Sequence, residues 1–171
     1  PGAVPVSTAA AGATGGGAVK VVLIGAGLAA AGGAVAVASG GGGGSNRPPD
    51  AYLAMLGAIG EHFVYQQLRA VLVDLDLTNW LSRSRELFDY GPGNDDLGYD
   101  FEYHDASGLF AGNASVPHCL IEVKSNAQNM GATFEITTNE WETAISCHRG
   151  ERKAQYVIVR VEQTASKPKI V

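Results

Sequence analysis

The sequence predicts an α/β domain with a central mixed sheet, in the order helix, three strands, helix, strand. Apolar residues recur at helical spacing from Ala51 to Val73, which predicts a long first helix. A capping pattern at Thr137 predicts a second helix before the last strand. Runs typical of strands occupy residues 77–82, 99–103, 118–124 and 155–161. Helices that alternate with strands in this way are typical of layered α/β domains.

The chain of 171 residues divides at about Arg47 by composition. Residues 1–46 hold most of the 23 glycines and include "STAAAGATGGGA" and "SGGGGGS". Such low-complexity runs bury too little side-chain surface to offset chain entropy, so we expect a disordered Gly/Ala-rich linker. Residues 47–171 have the composition of a folded domain, and we expect this domain to belong to a larger parent chain with other domains.

Two other interpretations of the N-terminal region are less favoured. Gly25, Gly27 and Gly32 follow an apolar run, but their spacing does not fit the dinucleotide fingerprint G-x-G-x-x-G. The uncharged stretch 21–38 is about 18 residues long, near the lower limit for a transmembrane helix. Because glycine and alanine dominate its second half, a linker is favoured over a membrane span.

Charge and cysteine content exclude several classes of protein. The net charge of −5 is opposite to that of a strongly basic nucleic-acid binder, so contact with a polyanion requires a local basic group or a metal ion. Cys119 and Cys147 do not form a disulfide framework, and no Cys/His spacing matches a zinc site. We therefore expect an intracellular, reducing location, with the nucleus among the candidate compartments.

The boundaries of the two helices follow from capping residues. Asp50 is the candidate N-cap of the first helix. Thr137 and Glu140 fit a capping box for the second helix, whose apolar stripe contains Trp141 and Ala144. Residues 90–96, between the first two predicted strands, are rich in glycine and aspartate and predict a loop.

The predicted strand in "CLIEVKSN" (residues 119–126) carries an acid and a base within a core sequence. Side chains alternate between the faces of a strand, so Glu122 and Lys124 share one face with Leu120. Asp100 lies in the neighbouring predicted strand, and pairing of the two strands would bring it to the same face. Two adjacent carboxylates repel each other unless a cation lies between them, and oxygen ligands suit Mg²⁺.

This constellation predicts chemistry on phosphodiesters. A divalent cation can polarise the phosphate and lower the pKa of a bound water, while Lys124 orients that water or stabilises developing negative charge. The alternative is that Glu122 and Lys124 form an ordinary surface ion pair, which would contribute less than about 1 kcal/mol.

The sequence resembles the C-terminal domain family of protein NO VEIN, within the PD-(D/E)xK nuclease superfamily. Five stretches carry the resemblance in the family's order, from about Leu56 to Val161: "GEHFVYQQL", "GYDFEY", "CLIEVKSN", "FEITTNEWETA" and "YVIVRV". The resemblance implies a restriction-endonuclease-like core. It also implies that Asp100 is the motif acid, that Glu122 and Lys124 form the E-x-K, and that Glu61 supplies an extra acid from the first helix.

By this resemblance, Asp100 and Glu122 would hold Mg²⁺ or Mn²⁺ in a domain that hydrolyses DNA or RNA. The run "DDLGYD" departs from the family's turn before the aspartate, so Asp95 and Asp96 compete with Asp100 as ligands. The alternative function is a non-catalytic nucleic-acid-binding or scaffold module of a larger NO VEIN-like protein. The acidic net charge favours that alternative, and the intact carboxylates favour the enzyme.

Overall fold

In a computed structural model of the protein, a mixed four-stranded sheet carries a helix on each face. The structure describes residues 50–72, 74–106, 108, 115–127, 134–162 and 164–170. Its strands are β1 (Phe101–His104), β2 (His118–Ser125), β3 (Gln155–Glu162) and β4 (Lys169–Ile170), in the spatial order β1-β2-β3-β4. The expected linker at 1–46 and the membrane and dinucleotide alternatives all lie outside the described residues.

The directions of the strands make the sheet mixed, as predicted. β1 and β2 are antiparallel, β2 and β3 are parallel, and β3 and β4 are antiparallel. The parallel pair needs a crossover connection, and the second helix, α2 (Thr138–His148), lies in that connection. The first helix, α1 (Asp50–Val71), precedes the sheet and includes Asp50, the predicted cap.

The prediction of a strand at residues 77–82 is wrong. The segment contains a short 3-10 helix at Leu77–Asn79, followed by a single bridge from Trp80 to Phe101. Asp76 favours the helical turn because its carboxylate accepts a hydrogen bond from the Thr78 amide at 2.7 Å. Two more 3-10 helices follow in the described chain, at Arg83–Phe88 and Asp95–Leu97. Only two strands therefore precede α2 in the described chain, and β4 was not predicted.

Each face of the sheet has its own apolar core. On one face, Val64, Tyr65 and Leu68 of α1 pack in a cluster with alternate residues of β2 and β3, among them Ile121 and Val159. On the other face, Ala144 of α2 packs in a second cluster, with Leu120, Tyr156 and Ile158. Trp141, predicted in the apolar stripe of α2, is instead 38% exposed. None of the helices in the described residues is long and apolar enough to cross a membrane.

Candidate active site

Glu122 and Lys124 lie near the end of β2, on the face of the sheet covered by α2. The alternation of the strand places them there with Leu120, while Ile121 and Val123 face α1. Glu122 is buried, and its Oε1 lies 2.9 Å from Nζ of Lys124. The pair is therefore not the exposed surface ion pair that the sequence left open.

Asp100 immediately precedes β1, and two hydrogen bonds fix it beside Glu122. Its amide donates to the carbonyl of Ile121 at 2.8 Å, and its Oδ2 accepts from the amide of Val123 at 2.7 Å. These two partners flank Glu122 in the sequence of β2. Burial, followed by the charges of Glu122 and Glu61, raises the pKa of Asp100 well above its usual value.

Burial also raises the pKa of Glu122, to about 8, although the Lys124 ammonium opposes the rise. The charge of Glu140, which also binds Lys124, raises the pKa of Glu122 further. Of the two sequence-predicted metal ligands, Asp100 thus has its charged form disfavoured first by burial and then by the charge of Glu122.

Glu61 reaches the same region from α1 but lies in its own network of donors. Its Oε2 accepts from Trp80 Nε1 at 2.8 Å and from the hydroxyl of Ser82, and its Oε1 accepts from Ser84 Oγ at 2.7 Å. Burial raises the pKa of Glu61 despite these three bonds. The charge of Glu61 in turn raises the pKa of Asp100 and of Glu122, so the three acids form one electrostatic group.

The sequence did not identify the partners of Glu61. Trp80 and Ser82 belong to the segment that was predicted as a strand, and Ser84 follows it. The two-residue spacing would place all three side chains on one face of an extended chain, but the sequence does not show that this face meets α1. In the fold, Trp80 and Ser82 have extended backbones between two 3-10 helices, Ser84 lies in the second helix, and all three side chains donate to one carboxylate. The run "WLSRS" offers three donors in five residues, but only the fold shows which acid they bind.

Glu140 of α2 is a further site residue that the sequence assigned only to capping. The capping box is confirmed, because Thr137 Oγ1 accepts from the Glu140 amide and Glu140 Oε2 accepts from the Thr137 amide at 3.1 Å. The same Oε2 lies 2.5 Å from Nζ of Lys124. The sequence gave no sign of this contact, because it joins residues 16 positions apart through the docking of α2 on the sheet.

Asp95 and Asp96, the competing ligands, lie in the 3-10 helix before Asp100 and are exposed. Asp95 Oδ1 accepts from the amide of Arg83 at 2.8 Å. Hydrogen bonds to Ile121 and Val123 instead tie Asp100 to the strand that carries Glu122. Of the three aspartates, Asp100 is therefore the one that the fold fixes beside Glu122.

Two carboxylates, Asp100 and Glu122, are the donors available to a cation at this site. Across the described ranges, no group of three or more His, Cys, Asp and Glu side chains is arranged to hold a metal ion. Mg²⁺ commonly binds one or two carboxylates and completes its shell with water and substrate phosphate. Asp100 and Glu122 match that requirement, and a cation between them would relieve the repulsion that raises the pKa of Asp100.

Comparison with known proteins gives one match. No curated protein and no solved structure matches the chain significantly. The family model described as "Protein NO VEIN, C-terminal" matches residues 60–171, which include Glu61, Asp100, Glu122, Lys124 and Glu140. The chain belongs to the family of the protein NO VEIN C-terminal domain.

Proposed function

We propose that the domain is a metal-dependent nuclease-like module that hydrolyses phosphodiester bonds in nucleic acid, on a restriction-endonuclease-like core of the PD-(D/E)xK type. The observation that carries the proposal is the half-buried Asp100 carboxylate tied to the strand that carries the buried Glu122, with Lys124 at 2.9 Å from Glu122. A carboxylate whose pKa is raised by burial and by a neighbouring carboxylate, as for Asp100, is typical of functional sites. An ordinary surface ion pair would be exposed to solvent, whereas the side chains of Lys124 and Glu122 are only 15% and 7% exposed.

Asp100 and Glu122 would hold Mg²⁺ or Mn²⁺ in this proposal. When bound, the ion would polarise the phosphodiester and lower the pKa of a bound water. Lys124 would donate to the attacking water or to a phosphate oxygen that gains charge, because its ammonium is held in place at the edge of the acidic group. Glu61 would keep the local field negative from the α1 side and so favour a bound cation.

The second candidate is a non-catalytic nucleic-acid-binding or scaffold module within a larger protein. The two ion pairs of Lys124, with Glu122 and Glu140, favour this second candidate, because a lysine that is already paired in this way interacts less with a substrate. The net charge of −5 also favours it. In either case the proposed partners are nucleic acid and other domains of the parent chain.

A cleavage assay with matched variants distinguishes the two candidates. Labelled single-stranded, duplex and branched DNA and RNA are incubated at low salt with Mg²⁺, Mn²⁺, Ca²⁺ or chelator. We expect cleavage with Mg²⁺ or Mn²⁺, and none with Ca²⁺, whose coordination geometry is looser. Glu122→Gln should abolish cleavage with the fold intact by circular dichroism. Glu142 is exposed on α2, and Glu142→Gln changes the net charge by the same amount as Glu122→Gln. This control variant should cleave normally.

Lys124→Ala separates catalysis from metal binding. It should stop cleavage, whereas metal affinity measured by calorimetry should persist or increase because a positive charge beside the cation is removed. Binding of nucleic acid that is equal with and without metal, without any cleavage by the wild type, would establish the binding module instead. Normal cleavage by Glu122→Gln would contradict the proposed site.

A further inference from the structure

Lys124 lies between two carboxylates that come from different elements. Its Nζ is 2.9 Å from Glu122 Oε1 on the same strand and 2.5 Å from Glu140 Oε2 on α2. The side chains of Lys124 and Glu140 are only 15% and 14% exposed. One lysine thus neutralises part of two acids, and only one of those acids is a candidate metal ligand.

A divalent cation at Glu122 would change this balance. The cation and the Lys124 ammonium carry like charges, and both would need the same carboxylate in a site with little water to screen them. With Glu122 as its only partner, Lys124 would either compete with the cation or leave the site. The second partner, Glu140, removes that conflict.

Glu140 is suited to keep the lysine because its own position does not depend on Glu122. Its carboxylate accepts the Thr137 amide at 3.1 Å, and it lies in the first turn of α2, where the helix dipole favours a negative charge. Both features fix an ionised carboxylate next to Lys124, whatever occupies Glu122.

We propose that Glu140 is a positioning residue that retains Lys124 at the site when a cation takes Glu122. This inference rests on the proposed function, because it assigns Glu140 a role only if a cation binds there. It predicts that Glu140 assists metal binding and catalysis through Lys124, without contacting the metal or the substrate.

Glu140→Gln tests the role, because glutamine also serves in a capping box but carries no charge. We expect the Kd for Mg²⁺, measured by calorimetry, to rise by at least about fivefold, in the range of ordinary coupling between sites. At saturating Mg²⁺, kcat should fall by about tenfold or more, while KM for nucleic acid stays unchanged. Glu142→Gln, with the same change in net charge on the same helix, should match the wild type in all three.

A second measurement needs neither metal nor activity. Unfolding in urea with chelator is compared for Lys124→Met, Glu140→Gln and the double variant. We expect the changes in the unfolding equilibrium constant to be non-additive by about fivefold. Additive changes would show that the Lys124–Glu140 contact carries no energy and would overturn the inference.

The outcomes separate the inference from the proposed function. If the wild type binds no Mg²⁺ or Mn²⁺, both fail. If the wild type binds the cation and cleaves, and Glu140→Gln behaves like Glu142→Gln, the metal site stands and only the role of Glu140 is overturned.

Discussion

At Gly60 the first helix comes into direct contact with the sheet, one residue before Glu61. A Cβ at this position would lie 1.8 Å from Ser125 Oγ and 2.9 Å from Ser125 Cβ, whereas nothing lies within 4 Å of a Cβ at Gly57. The absence of a side chain at Gly60 therefore lets α1 approach the end of β2 closely enough for Glu61 to join the acidic group.

These two glycines form a matched pair of test sites. Gly60→Ala should destabilise the domain by about 1–3 kcal/mol because of overpacking. Gly57→Ala should stabilise it by about 0.5–1 kcal/mol, because alanine restricts the unfolded chain and favours the helix. Urea unfolding measures both changes, and stabilisation by both variants would show that the contact with Ser125 does not limit position 60.

His62 provides a pH-dependent test on the same helix. Its ring stacks on Phe88 at 4.2 Å between centroids, and burial lowers its pKa from 6.5. The fold thus favours neutral His62, so its contribution to stability is complete above pH 6.5 and is lost as the pH falls through the lowered value.

We expect His62→Phe to lose less stability than the wild type when the pH is lowered from about 7.5 to about 5. Urea unfolding at both pH values measures this difference. An equal loss in the His62 variant would show that the ring does not resist protonation in the fold.

At the scale of elements, sequence periodicity was sufficient where the chain is regular. The two-residue period of β2 assigned Glu122 and Lys124 to one face, and the capping box assigned the start of α2. It was insufficient at residues 77–82, where Asp76 caps a 3-10 turn that apolar content cannot distinguish from a strand. The sequence also could not predict the contact of Glu140 with Lys124, because this contact depends on how α2 docks on the sheet.

The cap of α2 can be tested separately from the site. Thr137→Ala should destabilise the domain by about 1 kcal/mol, because the hydroxyl that accepts the Glu140 amide is lost. Thr137→Ser retains the hydroxyl and should stay within a few tenths of a kcal/mol of the wild type. Urea unfolding distinguishes the two variants, and equal stability of Thr137→Ala and wild type would mean that the cap is dispensable.

At the scale of the whole molecule, the candidate site gathers residues from both layers around the sheet. Glu61 comes from α1, Asp100 from the residue before β1, Glu122 from β2, and Glu140 from α2. The site therefore requires both helices to be docked. The sequence could predict the elements and the family stretches in order. It could not predict how α1 and α2 are placed relative to each other, because their docking on the two faces of the sheet leaves no local sequence pattern.

The domain boundary predicted by composition has a direct test. Limited proteolysis with a nonspecific protease should cut first before about Arg47, and the fragment 47–171 should unfold as cooperatively as the whole chain. Mass spectrometry identifies the cuts, with a urea-denatured sample as the control for intrinsic cleavage preference. Early cuts within 47–171, with 1–46 still attached, would contradict the boundary.

The unequal lengths of β1 and β2 bear on how the molecule avoids self-association. β2 extends four residues past its last pairing with β1, so Glu122–Ser125 has no β1 partner on that side. Strand edges that are exposed and unpaired can recruit strands from other molecules, but Glu122 and Val123 are buried here. Here the Asp100 carboxylate takes the amide of Val123, and charged side chains crowd the same stretch. The Asp100 carboxylate thus has a second consequence: it satisfies an amide of β2 that β1 leaves without a backbone acceptor.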